Sequence, residues 1–176
     1  LVRQSLVNLS EGVPLSIWYD WRDDGTLANQ PEHHYGIVGP APALHPKPAY
    51  TAARQLHQEL AGFRFLQRLS LDRPNDYALL FEKDGRQLLA TWTAAEPHNA
   101  FLPTGAGRFR IRSIDGKQQF GSATAPNGLQ LTLTPDVQYV EPETPTALLQ
   151  LAAAWSVPSP ELLIAAPAAA EQSLCF

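Results

Sequence analysis

Methionine is absent from this chain of 176 residues, and cysteine occurs once, at Cys175 beside the C-terminus. A lone thiol can form neither an internal disulfide nor a cysteine-based metal site, so cysteine usage leaves the compartment open. A chain with no starting methionine is expected to be the downstream part of a longer protein. Charge is also sparse: 17% of residues are charged, the net charge is -4, and the basic side chains are scattered. There is thus no electrostatic footprint for nucleic acid and no polybasic membrane patch, and neither is an expected partner. No apolar run approaches the length of a membrane span, and "LVRQSLVNLSEG" lacks the basic start and apolar stretch of a secretory signal. What the chain does have is an apolar share of 44%, enough to build a core.

Val2, Leu6 and Leu9 recur at helical spacing and Gly12 and Pro14 follow, so the chain opens on a helix. "VPLSIWYDW" puts Val13, Leu15 and Ile17 on one parity and Ser16 and Trp18 on the other, which predicts a short buried strand. A long Gly- and Pro-rich connection from Arg22 to Pro46 follows, of a length that is usually functional or disordered. A second helix is predicted from Pro48, with Ala49, Ala53, Leu56 and Leu60 in one stripe and Gly62 as its stop. Beyond Gly62, "FRFLQRLSL", "DYALLFEK", "RQLLATWT", "RFRIRSID" and "LQLTLT" are short strand-like runs separated by turn signals. The clearest hairpin spans Asp76 to Thr93 around Asp84-Gly85. Such spacing predicts an antiparallel sandwich or small barrel.

A helix, a strand, a long loop and a helix cannot close a core alone, but they make sense as the last units of a (β/α)8 barrel. The expected class is therefore α/β plus all-β. Residues 1–62 would be the end of a barrel (helix 7, strand 8, long loop, helix 8) and 63–142 an antiparallel β-sandwich. Residues 143–176 would be an Ala/Pro-rich tail with short helices or partial order, because Pro158 and Pro167 cut any helix short.

The run "GVPLSIWYDWRDDG", then "PEHHYGIVG", "PKPAYTAARQL" and a β-rich stretch ending "LQLTLTPDVQYVEP", resembles the C-terminal end of a bacterial glycoside hydrolase of the clan A barrel group. Families 5 and 39, and barrel-plus-sandwich enzymes that cut bacterial exopolysaccharides, are the nearest in pattern. The resemblance covers most of Gly12 to Pro142 and implies a retaining mechanism with two glutamates, at the ends of the fourth and seventh strands. Both positions precede Leu1, so no catalytic carboxylate is expected within the chain, and no cofactor. It further implies a polysaccharide or oligosaccharide substrate and an extracellular or periplasmic location. The exposed barrel surfaces would be covered by the upstream barrel segment or a partner chain.

Strand parity turns Ser16, Trp18 and Asp20 inward, with Trp18 and Asp20 nearest the catalytic mouth. An indole face can stack on the C–H face of a pyranose while its N–H donates to a hydroxyl. The resemblance gives that role to Trp18; the rival reading is that Trp18 plugs the barrel top. Trp21 would wall a neighbouring subsite, and Asp20 would bind sugar hydroxyls or a neighbouring side chain. Asp23, Asp24 and Gly25 would shape the turn. Glu32 and His33 would anchor the loop, with indirect contact to substrate. "DWRDDG" lacks the alternation of a calcium loop, and His33-His34 lacks zinc spacing, so no metal is expected. In the second half Trp92, Phe101 and Phe109 are candidate aromatics, and a structural role is the expected one. The functional alternative to an enzyme is a non-catalytic carbohydrate-binding or scaffold module.

Overall fold

The computed structural model describes residues 1–144 other than 14, 103 and 125–127; the predicted tail helices lie outside the described residues. Two helices, α1 (Val2–Ser10) and α2 (Pro48–Leu60), precede eight strands. These are β1 (Arg64–Leu69), β2 (Asp76–Lys83), β3 (Arg86–Thr93), β4 (His98–Leu102), β5 (Gly107–Ser113), β6 (Gln118–Ala123), β7 (Leu129–Leu133) and β8 (Gln138–Pro142). Six form one antiparallel sheet in the order β1-β2-β3-β8-β5-β6, and β4 pairs with β7 in a separate ribbon.

Period-two alternation explains the layering. Ala78, Leu80, Leu89, Phe109, Ile111 and Val140 turn toward the ribbon, where they meet Leu102, Leu129 and Leu131. The intervening residues Leu79, Phe81, Leu88, Ala90, Trp92 and Tyr139 turn the other way, onto Val2, Leu6 and Ala52 of the two helices. The molecule is thus helices on sheet on ribbon, the sheet being apolar on both faces. Each fully buried Leu or Phe contributes on the order of 1.5–3 kcal/mol.

The β2–β3 hairpin forms in the predicted register, from Asp76 opposite Thr93 to Lys83 opposite Arg86. Its two loop residues, Asp84 and Gly85, both take positive φ (49° and 76°), the type I′ turn that matches strand twist. Trp92 is core, stacked on Tyr77 at 4.6 Å, and Phe109 is fully buried, whereas Phe101 is exposed.

Three strands carried little periodic signal. β6 is an edge strand whose first three residues are all exposed, so it shows no apolar alternation. β4 is only five residues long and opens on His98 and Asn99, and β8 contains Glu141, a charge inside a buried strand. Glu141 is tolerated there because Arg86, Arg110 and Arg112 converge on its carboxylate. Burial disfavours its ionised form, but the hydrogen bonds from Arg86 and Arg110 outweigh that, and its pKa lies below the usual carboxylate value.

"VPLSIWYDW" departs from expectation. Its described residues form no strand, and Val13, Leu15 and Ile17, predicted to share one buried face, are 42%, 70% and 81% exposed. A strand exists only through pairing, and among the described residues no strand runs beside this segment to accept or donate its ladder bonds. The barrel itself is accordingly not seen. Leu9 also departs from its predicted stripe and is exposed, so Val2 and Leu6, with Val7 packed beside them, anchor α1.

Candidate functional site

The connection between α1 and α2 is long but ordered. Its two arms are laced together by Ile37 N–H to Asp20 C=O (3.1 Å), Val38 N–H to Trp21 C=O (3.1 Å) and Asp23 N–H to Val38 C=O (3.0 Å). At the centre lies Asp23, 7% exposed, whose Oδ1 accepts from Lys47 Nζ and from Gly36 N–H, each at 2.9 Å. Lys47 Nζ donates again to His34 C=O at 2.8 Å. The hydrogen bond from Lys47 holds the Asp23 carboxyl below its ordinary pKa. Gly36 is required where it stands, because a Cβ there would collide with the backbone of Arg22 and Asp23.

On this frame the aromatic side chains face outward: Trp18 is 43% exposed, Tyr19 65%, Trp21 57% and Tyr35 47%. Tyr19 and Tyr35 meet edge to face at 6.5 Å, and Trp21 meets Tyr50 of α2 in the same way at 6.1 Å. Tyr19 Oη donates to Asp24 Oδ2 at 3.2 Å. That bond, with the charges of Asp24, Asp20 and Glu32, raises the phenol's pKa, so three carboxylates stand around one tyrosine. The Asp20 carboxylate also accepts from the Trp21 N–H, and the Asp20 N–H donates to Tyr35 C=O at 3.3 Å.

Glu32 and His33 sit on a short 3-10 turn, Pro31–His34. His33 Nδ1 accepts from Leu27 N–H at 3.2 Å, and the ring packs where a side chain at Gly25 would stand. His34 Nε2 donates to Leu27 C=O at 3.1 Å. His33 therefore bonds to the loop backbone, while Glu32 is exposed and reaches the aromatic group through its charge on Tyr19. Among the described residues no three His, Cys, Asp or Glu side chains are placed to share a metal ion.

Sequence reasoning gave Asp23 only a turn-shaping role and missed Tyr19 and Lys47. The alternation in "WYDW" could have pointed to Tyr19. Nothing local points to Lys47, which meets Asp23 across 24 positions. Chemically, the arrangement offers flat apolar faces beside carboxylates and a phenol, the combination that receives polyhydroxylated rings.

No family model and no curated protein matches the chain. Among solved structures, it is similar to a family 39 glycoside hydrolase from the gut symbiont Bacteroides cellulosilyticus WH2. The TM-score is 0.66 at 23% identity over 81% of this chain. The chain spans 29% of that enzyme's length, and the likeness is one of fold. A GH30 endoxylanase from Clostridium papyrosolvens C71 also matches, with TM-score 0.43, 8% identity, 58% of this chain and 29% of that one.

Proposed function

We propose that the chain is the C-terminal part of a retaining glycoside hydrolase that cleaves O-glycosidic bonds in a polysaccharide or oligosaccharide. The observation that carries this reading is the exposed aromatic rim, Trp18, Tyr19, Trp21 and Tyr35, held on a loop that Asp23 and Lys47 pin from within. Aromatic side chains ordinarily go to a core; a pinned loop that presents four of them to solvent beside Asp20 and Glu32 suits a sugar-binding wall. The fold shared with a family 39 glycoside hydrolase supports the same reading.

Residues 1–62 are read as the end of the barrel and 63–142 as the sandwich. The bare segment around Leu15 and Ile17 supports this, because an eighth barrel strand without its neighbours would show unpaired backbone and exposed apolar side chains. Trp18 is the platform under the sugar, Asp20 and Trp21 line it, and Glu32 and His33 hold its frame. The two glutamates, ~5 Å apart in a retaining enzyme, come from upstream chain.

A protein extended upstream through the barrel tests the proposal by release of reducing ends from a panel of polysaccharides. Hydrolysis is expected, with most of it lost in Trp18→Ala. Unchanged activity in that variant would sink the site assignment. Absence of hydrolysis by the extended protein would favour a non-catalytic module.

A further inference from the structure

The ribbon and the cleft beside it form a second feature of the kind that meets a ligand. On the outer face of the β4–β7 ribbon, Phe101 lies directly opposite Gln130 and Asn99 directly opposite Thr132. Directly opposed side chains stand ~5 Å apart, so the four make one compact patch. Phe101 is 56% exposed, which is unusual for a phenylalanine on a strand whose other face is core. Thr132 Oγ1 donates to Asn99 Oδ1 at 2.9 Å, which fixes the amide and leaves its N–H groups turned to solvent.

The patch does not end at the ribbon. β6 and β7 are edges of different sheets, and beside them opens a cleft of about 1170 Å³, lined by Gln118 and Phe120, by Gln130 and Thr132, and by Arg3 and Pro48 at the starts of the two helices. Arg108 lies over the Phe120 ring at 4.2 Å and fixes its orientation. The charged side chains in the cleft offset one another: Lys117 pairs with Asp115 at 2.7 Å, and Arg3 and Asp136 contribute one of each sign. What remains is an electrically neutral surface with two exposed rings and a set of amide and hydroxyl groups that can both donate and accept. An anionic ligand would find no unbalanced cationic side chain there, and an apolar one would strand the amides.

We propose that the ribbon face and cleft bind a neutral glycan chain, with Phe101 stacking on one sugar ring and Asn99, Gln130 and Thr132 bonding its hydroxyls. This second site takes its ligand class from the glycosidase reading but uses none of that reading's residues. It would hold the polymer on the sandwich, away from the aromatic loop.

Affinity electrophoresis of the 176-residue chain tests this in gels that contain soluble xylan, galactomannan or hydroxyethylcellulose, with polygalacturonate as the charged comparison. The expected result is retardation in at least one neutral gel, about tenfold weaker in Phe101→Ala and in Gln130→Ala and kept in Phe101→Tyr. Mobility unaffected by every neutral gel overturns the proposal. So does retardation that Trp18→Ala abolishes and Phe101→Ala spares, or equal retardation by polygalacturonate. Hydrolysis by the extended protein is read separately. Activity without ribbon-dependent retardation ends this inference alone, and retardation without activity ends the glycosidase reading alone.

Discussion

Asp23 and Lys47 lie 2.9 Å apart at opposite ends of the long connection, and the carboxylate that receives the lysine is almost wholly buried. This single pair ties the arm that carries Trp18 and Trp21 to the start of α2. It converts a stretch of Gly, Pro and polar residues into a fixed mount for aromatic side chains.

Removing the tie should loosen the mount without unfolding the sheet. In Asp23→Ala, chymotrypsin is expected to cut among Trp18, Tyr19, Trp21 and Tyr35 about tenfold faster, with the far-UV spectrum unchanged. The pH dependence follows in sign. The folded pKa of Asp23 lies below its ordinary value of 3.8, so the contribution is fully present above that value and is lost as pH falls below it. Proteolysis at the loop should accelerate there, and Asp23→Asn should remove the acid-dependent step.

Glu141 and Glu59 sit in one charged cluster yet should respond oppositely to neutralisation. Glu141 gathers three arginines, and Glu141→Gln leaves them around an uncharged amide; a loss of ~2–4 kcal/mol is expected by denaturant titration. Glu59, buried on α2, has its pKa raised, chiefly because burial disfavours its charge more than Arg112 and Gln55 favour it. Its ionised form therefore detracts from stability above the raised pKa, and protonation relieves this as pH falls. Glu59→Gln should lie within ~1 kcal/mol of the parent at neutral pH. A loss as large as that of Glu141→Gln would refute this account.

Asp76 at the start of β2 and His98 at the start of β4 join the six-stranded sheet to the ribbon. His98 Nε2 is 3.0 Å from Asp76 Oδ2, and His98 Nδ1 is 3.1 Å from Glu96 C=O. Both ring nitrogens face acceptors, and Asp76 is 4% exposed. A double-mutant cycle with Asp76→Asn and His98→Gln should return a coupling of ~1–3 kcal/mol. Additive losses would mean that this pair does not couple the ribbon to the sheet.

How much of this was legible depended on whether a residue's partners were near in sequence. The β2–β3 hairpin was readable to the residue because alternation and the Asp84-Gly85 turn are local signals. α2 was readable for the same reason, from Pro48 to Gly62. β8 was not, because Glu141 reads as a turn or surface residue until Arg86 and Arg110 are brought to it across 55 and 31 positions. The alternation in "VPLSIWYDW" predicted a buried strand that is not seen, because no described strand pairs with it. At the candidate site, Trp18 and Asp20 came from strand parity and the resemblance, Trp21, Glu32 and His33 from their place beside them, and the Asp23–Lys47 pin has no local signature.

Gly36 offers the sharpest probe of whether the loop's geometry matters to its chemistry. Its N–H donates to Asp23 Oδ1 at 2.9 Å, and a Cβ would overlap the Arg22–Asp23 backbone, which is not a flexible side chain that could move aside. Gly36→Ala must therefore push the two arms apart, lengthening the bonds that Val38 and Ile37 make to Trp21 and Asp20. Tyr19 and Tyr35 should lose their edge contact, with a weakened near-UV aromatic spectrum and an unchanged far-UV one. In the extended protein, hydrolysis should fall with Gly36→Ala about as far as with Trp18→Ala, because a platform displaced by ~1 Å no longer aligns the sugar. Retained activity together with a changed near-UV spectrum would show that the aromatic rim is not where substrate binds.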